Sequence, residues 1–230
     1  KYTIELTTQM KTYLEVESAV EVTADVTQTR IDFDGPTKVR IGARSRHRRP
    51  AATITTTDHP RDVMTAVGAL GSALKTTTAE RSYPTLRGHP PEIQLGDELD
   101  VPQGIERPET GVRIAVPPTL EKIYVAAPLA YYLGAELIPG TTPRLVTDAG
   151  FEYSLSPPIG FETAVERTLK QAFFLDTVTR TEGYYDVNLH ERNVVEPRVD
   201  LDFASLYDAS LAERLAAYLE VPFDFVEDQI

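Results

Sequence analysis

Basic residues are concentrated in one short stretch of a chain that otherwise has few positive charges. They are Arg40, Arg44, Arg46, His47, Arg48 and Arg49. An arginine fork binds a carboxylate or phosphate through two parallel hydrogen bonds, so this stretch is a candidate to dock an anionic ligand or an acidic partner surface. The alternative is a solvated loop that balances acidic neighbours through salt bridges, because charge runs usually face water.

A second candidate site lies in residues 81–91, which read RSYPTLRGHPP. The side chains of interest are Arg81, Tyr83, Arg87 and His89, held in a stiff loop bounded by prolines. Binding sites need polar groups on rigid supports, so this loop is a candidate pocket for an anionic ligand. The alternative is a loop packed down for structural reasons, with Arg87 bonding backbone carbonyls. If both arginine-bearing loops converged in space, they would form one cationic pocket.

Two further groups have weaker patterns. His190, Glu191 and Arg192 offer a base, a carboxylate and a cation, but consecutive residues point in different directions and seldom act on one centre. Asp200 and Asp202 share a side if that segment is extended. A glycosidase carboxylate pair or a magnesium site would need far more support than this spacing.

The common catalytic signatures are absent from the sequence. There is no G-x-x-x-x-G-K-[ST] phosphate loop, no G-x-G-x-x-G after a strand and no G-x-S-x-G elbow. The four histidines lack metal-site spacing, and the chain has no cysteine, which excludes disulfides, thiolate metal sites and a cysteine nucleophile. We therefore predict no catalytic residue, no metal and no cofactor.

The hydrophobic pattern has period two up to about residue 57. Leu14, Val16, Val20 and Val22 share one parity while acidic residues and threonine occupy the other. Turn residues 34–36 separate further short strands, which predicts an antiparallel sandwich or meander over residues 1–57.

The rest of the chain, residues 58–230, predicts an α+β domain. A helix begins at Asp58–Pro60, and a long Pro-rich irregular segment follows at 76–118. Strands are predicted at 112–116, 123–125 and 135–138, with one or two helical turns before the last, as a small βαβ unit. A hairpin is predicted at 145–155.

Two more helices complete the predicted domain. One covers about residues 160–180, with Phe161, Val165, Leu169, Ala172 and Phe173 on its buried face. The last helix is expected to be capped by Asp208 and to bury Leu211, Leu215 and Tyr218. The fold class is therefore α+β, with mixed α/β character in the second part.

Composition limits the classes of partner. The chain has 230 residues, Lys+Arg 23 against Asp+Glu 35 and a formal net charge of -12, with arginine far more common than lysine. This acidity argues against nucleic acid or anionic lipid as the main partner and suggests a halophilic, cytoplasmic protein. No stretch is apolar and long enough to span a bilayer, and without an initiator methionine the chain reads as a piece of a longer protein.

Several stretches resemble a family of long haloarchaeal proteins of unknown function. They are GARSRH at 42–47 through Thr57–Asp58, GSALKT at 71–76 through 97–99, APLAYYLGAE at 127–136 and RLVTDAGFE at 144–152. In that family a region like this one precedes a module similar to CHAT domains, the caspase-related peptidases. The resemblance implies a non-catalytic upstream region, such as a sensor, adaptor or scaffold, and no caspase-type residue can be carried over.

Two functional hypotheses follow. The first is a non-catalytic interaction or regulatory region that uses the loops at 44–49 and 81–89 to hold a protein partner or its own downstream module. The second is a binding domain or enzyme for a small anionic ligand, with Arg81, Arg87 and His89 in the pocket. Nucleic-acid binding through the same arginines is disfavoured by the net charge.

Overall fold

The computed structural model describes residues 1–7, 11–24, 28–44, 50, 52–183 and 188–229. The class is α+β, as the sequence predicts, with several small sheets and seven α-helices in the described residues. The chain divides into two compact units, residues 1–49 and 50–230.

The first unit consists of antiparallel strands, as predicted. Strands β1 (Tyr2–Thr7), β2 (Lys11–Val16) and β5 (Val39–Arg44) form a sheet in the order β1-β2-β5. Strands β3 (Val20–Ala24) and β4 (Thr29–Phe33) pair as a separate hairpin.

Strand alternation gives the three-stranded sheet one apolar and one polar face. Ile4, Leu14 and Ile41 lie opposite one another in the register, which places them on one face. On the other face Glu15 accepts a hydrogen bond from Arg40 at 3.1 Å. Ile41 is 72% exposed, so the apolar face is open to solvent along β5.

The second unit begins with a two-stranded parallel sheet packed on a helix. Strand β6 (Thr53–Thr56) pairs with β7 (Glu92–Leu95), although the sequence placed residues 53–56 with the N-terminal strands. Helix α1 (Pro60–Gly68) continues as a 3-10 turn over Ala69–Ala73. A second 3-10 turn at Ala79–Ser82 leads into the short helix α2 (Pro84–Arg87), so the segment predicted as irregular contains several short elements.

A four-stranded sheet forms the centre of the second unit. Strand β8 (Val112–Val116) is joined through α3 (Leu120–Leu133) to the parallel strand β9 (Glu136–Pro139). A βαβ unit is therefore present, but its first strand is β8 and not the strand predicted at 123–125. Strands β10 (Arg144–Thr147) and β11 (Glu152–Ser154) form the predicted hairpin, and the order is β11-β10-β8-β9.

Four more helices complete the second unit. They are α4 (Phe161–Thr179), α5 (His190–Val195), α6 (Phe203–Asp208) and α7 (Leu211–Glu220). Short 3-10 turns lie at Arg180–Glu182, Glu196–Arg198, Phe223–Phe225 and Glu227–Gln229. Helix α3 packs between α1 and α4, and α4 also contacts α7, so α4 is the helix that connects the core to the C-terminal elements.

Two local predictions were wrong. Residues 123–125 are helical, not a strand, because Ile123, Ala126 and Leu129 share one buried face and that burial stabilises α3 even though Pro128 lies inside it. The cap of α7 is Ser210 rather than Asp208. Ser210 and Glu213 exchange hydrogen bonds between side chain and backbone at 3.3 and 3.0 Å, in a capping box.

Candidate functional site

A group of buried polar side chains surrounds Asp176 in the C-terminal half of α4. Asp176 is fully buried, and Arg81 and Arg214 are each 1% exposed. Arg81 comes from the 3-10 turn at 79–82 and Arg214 from α7, so the group joins elements that are far apart in sequence. Together with Tyr132 and Tyr218, these residues form what we call the Asp176 cluster.

Both arginines bind the same carboxylate and the same carbonyl. Arg81 Nη2 lies 2.6 Å from Asp176 Oδ2, and Arg214 Nε lies 3.2 Å from Asp176 Oδ1. Each guanidinium also donates to the Thr77 carbonyl oxygen, at 2.9 Å from Arg81 and 2.7 Å from Arg214. Two cations thus share one anion, and Thr77 O supplies part of the remaining negative partial charge.

The two tyrosines complete the shell of Asp176. Tyr132 donates its hydroxyl hydrogen to Oδ2 at 2.7 Å, and Tyr218 donates to Oδ1 at 3.4 Å. Burial, followed by the charge of Asp176, raises the pKa of both tyrosines well above the ordinary value. Both hydroxyls therefore stay protonated and act as hydrogen-bond donors to the carboxylate at neutral pH.

Arg81 stays charged although it is buried. Burial acts to lower the pKa of Arg81, but the Asp176 carboxylate and the nearby tyrosines outweigh it, so that this pKa is raised. Its guanidinium also lies 4.8 Å from the centre of the Tyr132 ring. The Asp176 cluster is therefore a closed internal network that pins the 79–82 turn and α7 to α4.

An open groove of about 370 Å³ lies between α3 and α4, on the other side of Tyr132. We call it the α3–α4 groove. Its lining consists of Arg87, Pro128, Tyr131, Tyr132, Leu169, Lys170 and Phe173. The groove is mostly apolar, with one cation from the end of α2 and one from α4, a composition typical of binding sites.

Arg87 is held firmly at the edge of the groove. Its Nη1 donates to the carbonyl oxygens of Arg81 at 3.1 Å and of Ser82 at 2.9 Å. The Tyr131 hydroxyl donates to the carbonyl of Arg87 itself at 2.8 Å. The guanidinium lies 5.5 Å from the centre of the Phe173 ring, so Arg87 bridges the 79–87 segment and the groove.

Gly88 allows the chain to turn directly after Arg87. Its φ is +68°, and a Cβ at this position would collide with the carbonyl oxygen of Ala73. Only glycine fits both the left-handed region and this close approach. The backbone conformation at Gly88 therefore fixes the end of α2 and the position of Arg87.

The predicted loop at 81–89 is divided by the structure. Arg81 is buried in the Asp176 cluster, Arg87 lines the groove, and His89 is exposed. Tyr83 is half-buried under the guanidinium of Arg180, 3.7 Å from its ring centre. Arg81, Arg87 and His89 therefore do not line one pocket, and Arg87 makes the backbone-carbonyl bonds that the structural alternative expects.

The first arginine segment falls largely outside the described residues. Arg40 is described in β5, and the backbone of Arg44 ends that strand. The Arg44 side chain and all of Arg46, His47, Arg48 and Arg49 lie outside the described residues. Their proposed role in binding stays a prediction.

Two of the weaker sequence candidates, Arg192 and Asp202, have structural partners. Arg192 pairs with Glu182 and with Glu196, the latter at 3.1 Å. Asp202 caps α6 by accepting a hydrogen bond from Ser205 N at 3.1 Å. Within the described residues no group of three or more His, Asp or Glu side chains is arranged to hold a metal ion.

Across the part of the chain that the structure describes, none of the helices combines the length and the apolarity needed to cross a bilayer.

Sequence reasoning missed Asp176, Arg214 and the exposure of Phe173. The signal for the first two was present: Asp176 lies four residues after buried Ala172 on α4, and Arg214 lies between Leu211 and Leu215 on the apolar face of α7. An acidic and a basic residue on two apolar helix faces indicate a buried pair. Phe173, expected in the core, is 40% exposed in the groove, where its ring contacts the ring of Tyr132 edge to face.

Comparison with protein-family models, with curated proteins and with solved structures found no match to this chain.

Proposed function

We propose that residues 50–230 form a non-catalytic binding domain that holds a protein partner in the α3–α4 groove. The observation that carries the proposal is an aromatic side chain, Phe173, left 40% exposed in a groove with cations at its edge. An exposed aromatic ring in a concave apolar site is an efficient anchor point for a partner side chain.

The polar side chains next to the groove support a binding role over chemistry. Arg81, Asp176 and Arg214 are buried: Asp176 pairs with both arginines and accepts a hydrogen bond from the Tyr132 hydroxyl. Both guanidiniums also donate to Thr77 O. A catalytic acid, base or nucleophile must reach its substrate, and these groups are sealed from solvent. The proposal follows the non-catalytic interaction role that the sequence suggests, but moves it from the 81–89 loop to the groove.

The proposal is tested by photo-crosslinking at a single position. The full chain is produced in its own cells with p-benzoylphenylalanine in place of Phe173, and irradiated. The matched control carries the same probe at Phe225, which is 46% exposed and lies outside the groove. We expect a protein adduct of defined mass at 173 and none at 225; adducts at 225 alone, or at neither position, would overturn the proposal.

A small anionic ligand is a second candidate, because about 370 Å³ falls within the range of small-molecule sites and Arg87 stands at the edge. A thermal-shift screen with aryl carboxylates tests it. A ligand at a hundred times its dissociation constant adds about 2.7 kcal/mol to the free energy of unfolding. A shift in the unaltered chain that is lost in Phe173→Asp would favour this candidate over a protein partner.

A further inference from the structure

We infer that the partner of the α3–α4 groove is an acidic peptide segment, in which an apolar side chain is flanked by carboxylates that pair with Arg87 and Lys170. This inference rests on the proposed function and specifies the chemistry of the partner.

The floor provides one anchor point for an apolar side chain. The rings of Tyr132 and Phe173 meet edge to face, with centroids 5.8 Å apart, and Leu169 lies one helical turn before Phe173. Tyr132 is fixed from below by its hydrogen bond to Asp176, so the floor is preorganised rather than soft. A rigid aromatic floor lowers the ordering cost of binding.

Arg87 has hydrogen-bonding capacity left for a carboxylate. Its two hydrogen bonds within the described part of the chain both come from Nη1, and both go to backbone carbonyl oxygens. Among the described residues no acidic side chain pairs with this guanidinium and none accepts from its Nε or Nη2. A carboxylate bound there would meet a cation whose position is already fixed, which is the favourable geometry for a charge-assisted bond.

Lys170 supplies the second cation, and its existing partner is easily displaced. Its Nζ lies 2.9 Å from Glu166 Oε1, and both side chains are at least half exposed. Exposed pairs of this kind contribute little to stability, so a peptide carboxylate can replace or share the contact at small cost.

Charge complementarity selects an acidic partner. The chain carries a formal net charge of -12, yet the groove presents Arg87 and Lys170, and among the described residues that line it none is acidic. Glu166, on the same helix as Lys170, pairs with this lysine. A local cationic site in an acidic surface favours a partner with a few well-placed carboxylates and disfavours one that is uniformly acidic. A hydrophobic groove is also one of the recurring types of binding site for a peptide segment.

The experiment selects peptides from a random display library on the full chain. Clones that also bind the Phe173→Asp variant are discarded, which leaves peptides that need the groove. We expect the remaining sequences to carry Asp or Glu next to an aromatic or aliphatic residue, and their affinity to fall with rising salt. Groove-dependent peptides without acidic enrichment would overturn the inference while the crosslinking result still decides the proposed function.

Charge reversal tests the two cations with one synthetic peptide from the selection. We expect Lys170→Glu to weaken binding about tenfold, and the control Arg61→Glu, at an exposed position on α1, to change it less than twofold. Arg87→Glu should weaken binding further, but Arg87 also holds backbone carbonyls, so circular dichroism must first show an unchanged fold. A peptide with lysine in place of its acidic residues should bind Lys170→Glu better than the unaltered chain; equal binding of both peptides by both proteins would refute the inference.

Discussion

The Asp176 cluster and the α3–α4 groove share the side chain of Tyr132. Each also contains two cationic side chains, but the environments of these side chains differ. In the cluster, Arg81 and Arg214 are buried and share a carboxylate and a carbonyl oxygen. At the groove, Arg87 and Lys170 stand at the edge of an open apolar site, and Phe173 is partly exposed. Arginine alone therefore does not indicate function in this chain; burial decides whether it stabilises the fold or remains able to bind.

The largest expected effect comes from breaking the cluster at its centre. Asp176→Ala leaves two buried guanidiniums without their counter-ion, and we expect a loss of about 3–5 kcal/mol in the free energy of unfolding. Urea denaturation followed by circular dichroism measures it.

A matched triple variant distinguishes the effect of unpaired buried charges from the effect of lost side-chain volume. Arg81→Met, Asp176→Leu and Arg214→Met together remove all three charges and keep the volume. We expect this triple variant to be more stable than Asp176→Ala, because replacing a buried ion cluster with apolar side chains costs less than stranding its charges. A triple variant less stable than the single one would show that the ion pairs themselves carry the stability.

The next effect compares two neighbouring tyrosines on α3. Tyr132 donates to a buried carboxylate and Tyr131 to the neutral carbonyl of Arg87. We expect Tyr132→Phe to cost about 2 kcal/mol and Tyr131→Phe about 1 kcal/mol, since bonds to charged groups are the stronger kind. Denaturant titration of both variants decides it, and equal losses would argue against the special role of Asp176.

A pH titration sharpens the same comparison. Burial, with the charge of Asp176, raises the pKa of Tyr132 and Tyr218 in the folded state, whereas the unfolded chain has the ordinary value of about 10. Below pH 10 both states keep these protons. Above it the unfolded state releases them first and binds fewer protons, so the free energy of unfolding falls as pH rises.

Absorbance at 295 nm measures tyrosine ionisation directly. We expect Tyr132 and Tyr218 to ionise only as the chain unfolds, and the double variant Tyr132→Phe with Tyr218→Phe to have a weaker dependence of stability on alkaline pH. The same alkaline dependence in the double variant would contradict the assignment.

The smallest expected effect is at the edge of the groove. Lys170→Ala removes an exposed side chain, and we expect the free energy of unfolding to change by less than about 0.5 kcal/mol. Thermal unfolding checks this, and the same variant should weaken peptide binding. A large loss of stability with no change in peptide binding would show that Lys170 stabilises the fold and does not bind the peptide.

Local patterns predict much of the second unit. Strands β8 and β9, the β10–β11 hairpin and helix α4 follow from hydrophobic periodicity and turn residues over short distances, whereas the pairing of β8 with β9 was not predicted. The strand predicted at 123–125 is instead part of α3, because burial of one face of this helix holds it together even though Pro128 lies inside it.

The candidate site depends on contacts that no local pattern contains. Arg87 was singled out from its loop, but its neighbours in the groove come from α3 and α4, and Tyr131 contacts it from 44 residues away in sequence. Packing against α4 also buries some residues of the 81–89 loop and leaves others exposed. The sequence of the loop alone does not predict which residues are buried. Long-range packing therefore decides which of the predicted residues can bind.

The shared Thr77 carbonyl bears on how the chain folds as it is synthesised. Arg81 precedes Asp176 along the chain, so this pair is able to form as soon as α4 has emerged. Arg214, which donates to Thr77 across 137 residues, arrives only with α7. A nascent chain that ends before α7 therefore has Arg81 paired but lacks the helix that closes the network. The second unit is complete only when α7 has left the ribosome.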